Sequence, residues 1–414
     1  MKKIITTAGL AALGVASLNA ANGSMLSQIE ASKVWTASIS MRGFYDDNPT
    51  TAPNNVRNGS FGFEVRPSLA LNFPMDQTYI GLSYTYDMRY YFDRADSDYD
   101  QSHDVLLKLN HDFNERFSVK SSHEFEIFQE PSITDGTTPQ RANGDNMHYR
   151  GDIDFMGQFT ERLGVNVGYA NNFWDYQQSG TASYSALLDR DEHLAHIDLR
   201  WTLEPALVGL VGYQFGYFDY AGNGDMWFGG PDSTDKSYYS HYLYVGADYK
   251  QTAKLTLSPR IGAQYNDYLN VNGQNDWTPY VDTSATYTYA PGSYAQFGIR
   301  HTLIASSTAN NESSALDSDF TLNEEATTLY ANVNHKLTAK VTGTLLFAYQ
   351  YATYNGGTAD GETAQTYMLG ANLDYKIDEH LAAEAGYNYD TLLTDVDNQG
   401  YHRNRFYIGL RATY

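Results

Sequence analysis

From Trp35 onward the chain alternates apolar and polar residues at a period of two. Trp35, Ala37, Ile39 and Met41 stand against Thr36, Ser38, Ser40 and Arg42. Phe61, Phe63, Val65, Leu69 and Leu71 stand against Ser60, Gly62, Glu64, Arg66 and Ser68. The last stretch repeats the pattern, with Phe406, Ile408, Leu410, Ala412 and Tyr414 against Tyr407, Gly409, Arg411 and Thr413. Strict alternation over such lengths predicts strands with one apolar and one polar face. Pro67 falls on the apolar set, where it must lose a ladder bond or mark a bulge.

Tight turns recur at Pro74–Gln77, Asn114–Arg116, Thr160–Arg162, Leu203–Pro205, Gln251–Lys254, Ala290–Gly292, Thr338–Lys340 and Asp378–His380. Longer polar loops lie between them, at Gln129 to Asn146, Gln177 to Arg190, Asp219 to Lys236, Ile304 to Leu322 and Asn355 to Ala364. The runs number roughly eighteen, or sixteen on a stricter count, because Leu207 to Phe218 alternates poorly. At about 10 to 13 residues each, tilted strands cross a bilayer. Short turns on one side and long loops on the other are the asymmetry of a membrane barrel. A propeller lacks that asymmetry at every hairpin, and a soluble sandwich needs a core between two sheets. The expected fold is therefore all-β, a transmembrane antiparallel up-and-down β-barrel over residues 35–414.

The amino terminus reads as a signal peptide over residues 1–20, with Lys2 and Lys3 before a short apolar run that ends on small residues. Residues 21–34 then form a short periplasmic segment, too short for a plug domain. Cysteine is absent, which removes disulfides, thiol catalysis and thiolate metal sites. A net charge of −22 argues against nucleic acid as a partner. Aromatics make up 14% of the chain and 36 residues are Tyr, which suits interfacial girdles.

The wet face carries charge on nearly every strand. Arg42, Glu64, Arg66, Asp87, Arg89, Glu124, Glu126, Arg150, Asp152, Arg403 and Arg405 are the candidate pore-lining residues. Acidic and basic members nearly balance, so the excess negative charge is expected in the outer loops, as at Asp96, Asp98, Asp100, Asp317, Asp319, Glu324 and Glu325. Arg42, Arg89, Arg403 and Arg405 form a basic sector, read first as a brace paired with Asp87 and Asp46. Tyr91, Tyr242, Tyr244 and Tyr280 are candidates for stacking sugars. Trp227 and Phe228, in an apolar loop tip, are candidates for a constriction. His111, His123, His301 and His335 fall on the apolar set near strand ends. Asp96 to Asp100 lacks the Gly and terminal Glu of a calcium loop, and neither a metal nor a cofactor is expected. No catalytic motif stands out, so an enzyme is not expected.

The terminal stretch resembles the signal by which bacterial outer-membrane barrels are recognised for insertion, with Tyr407, Gly409 and Tyr414 in its key places. Phe44-Tyr45-Asp46-Asp47-Asn48 resembles the start of the type 2 β-barrel porin family, often associated with surface-polysaccharide genes. The resemblance implies a barrel in the cell outer membrane. The expected partners are outer-membrane lipid and lipopolysaccharide, the barrel-assembly machinery, and small hydrophilic solutes; the reading also allows an oligomer. Passive diffusion of such solutes, saccharides among them, is the leading expectation. The alternative is a structural or surface-interaction barrel linked to polysaccharide export or adhesion.

Overall fold

The computed structural model describes residues 33–53, 56–94, 97–128, 132–134, 138–140, 146–177, 188–221, 233–271, 273–306, 321–395 and 400–414. The expected signal peptide, almost all of the segment that follows it, and Asp96, Trp227, Phe228, Asp317 and Asp319 lie outside these residues.

The strands in chain order are β1 (Trp35–Asp46), β2 (Ser60–Pro74), β3 (Thr78–Tyr91), β4 (Tyr99–Asp112) and β5 (Phe117–Phe128). A small outer hairpin follows, β6 (Ser132–Thr134) and β7 (Thr138–Gln140). Then come β8 (Asn146–Gln158), β9 (Leu163–Tyr176), β10 (Arg190–Glu204), β11 (Leu207–Tyr220), β12 (Tyr238–Lys250), β13 (Leu255–Tyr268) and β14 (Asn275–Ala290). The last six are β15 (Ser293–Ala305), β16 (Asn323–Lys336), β17 (Val341–Asn355), β18 (Thr363–Lys376), β19 (Leu381–Thr394) and β20 (Tyr401–Thr413). All but β6 and β7 belong to one 18-stranded antiparallel sheet. Each strand pairs with its chain neighbour, and β20 returns to β1, with Met41 opposite Leu410 and Arg42 opposite Gly409. The sheet is thus a closed barrel with no free edge, the solution that satisfies every backbone group within a membrane.

The barrel strands are 12 to 16 residues long, longer than the alternation alone indicated. Loop stretches such as Asp219 and Ile304 extend the tops of β11 and β15. The stretch from Leu207, which alternates poorly, is a single 14-residue strand. Its weak alternation comes from Gly209, Gly212 and Gly216, which have no side chain to mark a face. Pro67 interrupts the ladder as expected. The β2–β3 register runs to Val65 opposite Met88 and resumes at Ser68 opposite Thr85.

Five of the tight turns share one local device. Asn114, Thr160, Thr252, Thr338 and Asp378 each accept hydrogen bonds from the backbone N–H groups two and three residues ahead. These side chains stand in for a backbone acceptor and close the turn in place. The two N–H groups also hold the Asp378 carboxyl below its ordinary range.

The outward faces form an apolar band. Leu243, Val245, Ile261 and Ile408 are all more than half exposed. Exposed Trp and Tyr border the band, with Trp35, Trp201 and Tyr414 at the short-turn end and Tyr99 and Trp277 at the other. Histidines on this face satisfy Tyr hydroxyls. Tyr84–His103 (2.9 Å), Tyr149–His123 (2.8 Å), Tyr169–His193 (2.6 Å), Tyr213–His241 (2.7 Å) and Tyr289–His335 (2.7 Å) all pair. His111 bonds Thr78 in the same way (2.7 Å). A polar ring tip facing lipid needs such a partner. So extensive an exposed apolar band is unfavourable against water, so the barrel spans a membrane.

Candidate functional site

The inward face is built around the seam where the barrel closes. Arg42 on β1 and Glu64 on β2 stand opposite each other. Arg42 Nη1 lies 3.0 Å from Glu64 and its Nη2 lies 2.8 Å from Glu384 on β19. Ser40 donates to the same Glu384 oxygen at 2.8 Å. Arg89 bridges Glu64 (3.2 Å) and Asp87 (3.1 Å). Arg411 joins Glu384 (3.0 Å) to Asp374 (2.9 Å). Six strands, β1, β2, β3, β18, β19 and β20, thereby contribute to one charged lattice.

Tyr407 and Gly409 shape this lattice. The Arg42 guanidinium sits 4.6 Å from the centre of the Tyr407 ring. The Tyr407 hydroxyl donates to Asn372 at 2.7 Å. A Cβ on Gly409 would come within 2.3 Å of the Met41 carbonyl and 2.6 Å of Arg42 Cγ. The glycine is there because backbone and Arg42 stem occupy that space. Tyr414 packs beside Trp35, ring centres 5.3 Å apart, at the short-turn rim.

Nearer the loops, Arg403 grips Asp46 through several hydrogen bonds, both side chains almost wholly buried. Arg405 lies 3.8 Å from Asp390. The basic sector is therefore paired with carboxylates throughout, the arrangement of a brace.

A second sector of the wall, at β4 and β5, is acidic. Asp104 on β4 and Glu124 and Glu126 on β5 bring carboxylate oxygens within 4.8 Å of one another. Asp104 stands directly opposite Glu126. Arg150 on β8 lies 4.0 Å from Glu124, and Asp152 follows it on the same face. Arg66 on β2 is in electrostatic reach of both Glu64 and Asp104. The cluster was not visible in the sequence, because its members come from two strands and no short motif joins them.

The aromatic candidates separate. Tyr242, Tyr244 and Tyr280 converge, with Tyr280 5.4 Å from Tyr242 and 5.7 Å from Tyr244. Tyr91 lies on β3, packed edge-on to Phe44 at 5.1 Å and covered by Arg94 at 4.1 Å.

Two corrections concern the loop side. Glu324 and Glu325 belong to β16 rather than to a loop, and Glu324 is buried. Asp100 lies in β4, where Arg94 holds it at 2.6 and 2.7 Å. The third concerns His301, which is no girdle residue. It bonds Thr278 (2.9 Å), Thr327 (2.7 Å) and Glu325 (3.1 Å), where the top of β15 crosses the inner face of β14.

That crossing narrows the lumen. Leu322, just before β16, packs into a buried cluster with Phe218, Tyr220, Tyr238 and Tyr268, all from the inner faces of β11 to β13. Asn323 donates to the Tyr268 hydroxyl and to Asp276, both at 2.6 Å. Lys236, in the 3-10 turn Ser233–Lys236, is buried beside the Tyr220 ring at 4.7 Å. Burial, reinforced by nearby Arg190, lowers its ammonium pKa to about 7. Its folded pKa is below its unfolded one, so this group costs stability as pH falls from above 10 toward 7. Replacing it as Lys236→Met should flatten that decline, read as thermal stability of the folded barrel at pH 7 and pH 10.

At the short-turn end the lumen opens into a cavity of about 810 Å³. Lys120, Met156, Arg200, Val208, Asp248 and Lys250 are among its lining residues. Arg200 and Arg260 both bind Asp248, at 2.5 and 2.7 Å.

The family model described as Putative beta-barrel porin 2 matches residues 324–414. The resemblance to that porin family is supported. The match covers β16 to β20 and not the Phe44–Asn48 stretch on which the resemblance was first read. No curated protein matches the chain. Among solved structures, a BenF-like porin from Pseudomonas fluorescens Pf-5 is similar at 11% identity, with a TM-score of 0.45, covering 92% of this chain and 99% of that one. The outer membrane protein OpdK of Pseudomonas aeruginosa is similar at 10% identity, TM-score 0.45, over the same shares of the two chains. OccAB4 of Acinetobacter baumannii is similar at 11% identity, TM-score 0.46, again over 92% and 99%.

Proposed function

We propose that the protein is a porin-like channel of the outer membrane, through which small hydrophilic solutes diffuse. The observation that carries this reading is a closed 18-stranded barrel with an apolar outer band and a charged inner face. A barrel of that size encloses an aqueous path unless something fills it. The family match to residues 324–414 supports the same reading. Selection follows from lumen width and from the field of the paired charges at the seam and of the acidic cluster on β4 and β5, with no bond made or broken. Tyr242 and Tyr244 are buried, with Tyr280 packed against them, and so offer a saccharide little ring face. The terminal strand, with Tyr407, Gly409 and Tyr414, serves as the signal for the barrel-assembly machinery, and the outer band meets lipid and lipopolysaccharide.

Planar-bilayer recording on the purified barrel tests this. Stepwise conductance is expected; a folded barrel that never conducts would sink the proposal. The acidic wall predicts a second result. Neutralising it as Glu124→Gln with Glu126→Gln should move the reversal potential in a salt gradient toward anions. No movement would remove that wall from the selectivity mechanism.

A further inference from the structure

The ladder between β14 and β15 is incomplete. It runs from Ala290 opposite Ser293 up to Val281 opposite His301 and stops there. Asn275 to Tyr280 pair only with β13. The upper part of β15 keeps its other partner, with Thr302 opposite Ala326 and Ala305 opposite Asn323 on β16. The tops of β15 and β16 therefore leave the wall together and lean into the lumen. Pro279 marks the place where the ladder opens, and proline has no N–H to give a neighbouring strand.

One side chain takes over the backbone bonds that β14 no longer supplies. Gln264, on the inner face of β13 and fully buried, donates through Nε2 to the Leu303 carbonyl at 3.0 Å. The Leu303 N–H donates back to Gln264 Oε1 at 2.7 Å. The Thr302 hydroxyl donates to the same oxygen at 2.6 Å. Gln264 Nε2 also donates to the Tyr242 hydroxyl at 2.9 Å. This amide does for Leu303 what a paired strand residue would do. It reaches across β14 to do so.

We infer that Gln264 is the positioning residue that latches the upper β15–β16 hairpin inside the lumen and so sets the width of the loop-side aperture. The inference rests on the channel reading for its consequence, but the latch itself is a matter of geometry. A second arrangement is built into the sequence. Continuing the register beyond Val281–His301, two residues at a time, sets Pro279 against Leu303 and Trp277 against Ala305. A hairpin released by Gln264 can swing back alongside β14, short of the one bond that Pro279 cannot donate to Leu303, and widen the mouth. The amide bonds of Gln264, with those of Asn323, hold the balance toward the leaning form.

The chain has no cysteine, so an engineered pair reports without background. The pair is Trp277→Cys with Ala305→Cys. Zipped strands place such opposed positions about 5 Å apart at Cβ. The disulfide should form slowly with Gln264 intact. In Gln264→Met, which keeps volume and removes the hydrogen-bonding ends, it should form about tenfold faster or more, because at least two net hydrogen bonds are lost. Without the cysteine pair, Gln264→Met should raise single-channel conductance. Equal disulfide rates in the two backgrounds would overturn the latch, as would Gln264→Met with unchanged conductance in a conducting barrel. A barrel that never conducts but shows the Gln264-dependent disulfide would overturn the channel reading and uphold the latch.

Discussion

Replacing Arg42 by alanine is expected to cost about 2–3 kcal/mol of barrel stability, less than the roughly 3–5 kcal/mol of a buried pair broken outright, because it takes one of two cations from each of two buried carboxylates. Arg42, Glu64 and Glu384 are each at most 8% exposed at the side chain. Taking charges out of water is costly, and only close opposite charge offsets it. Arg42 is the cation shared by both acids across the closing seam. Arg89 would remain on Glu64 and Arg411 on Glu384, so the loss is partial rather than total. Arg42→Lys should fall between the two, since a single ammonium cannot reproduce the fork that contacts both acids. Urea unfolding in detergent micelles measures this. An Arg42→Ala barrel within 1 kcal/mol of the parent, on the order of error for a surface change, would show that the lattice contributes little.

Gly409→Val should block closure more than weaken it. The added carbon would meet the Met41 carbonyl at 2.3 Å, and that neighbour is backbone. Overpacking of side chains alone costs about 1–3 kcal/mol, and a backbone obstacle leaves less room to yield. At 1.4 kcal/mol per factor of ten, the yield of heat-modifiable folded barrel should fall about tenfold or more. The effect should appear as failure to close β20 on β1, with the unfolded form accumulating. The Arg42 stem is the second neighbour, so Arg42→Ala combined with Gly409→Ala should be less damaging than the sum of the two. Additivity would mean that the glycine serves the backbone contact only.

Much of the architecture was legible from local pattern. Alternation at Trp35 to Met41 and at Phe406 to Tyr414 identified the two strands that meet at the seam, and the structure pairs them. The short turns were legible because their chemistry is local. Asn114 or Thr338 needs only the next three residues to close a turn. The limits lay at strand ends and in cross-strand relations. Polarity in Glu324 and Asp219 suggested loop, yet a wide aqueous lumen lets polar residues continue a strand beyond the apolar band.

By itself the sequence determined the class of fold and the division of each strand into a lipid face and a wet face. That follows because the period of two is a property of single strands, whatever they pair with. It also marked Pro67 as an exception to the pattern. Which charges meet was decided by the tertiary structure. Arg42 finds Glu384 across 342 positions of chain. Asp104 meets Glu126 through register alone. The departure of β15 from β14 belongs to the same class. Pro279 permits the gap, but Gln264 and Asn323 hold the hairpin inward, and only closure of the barrel brings them to it.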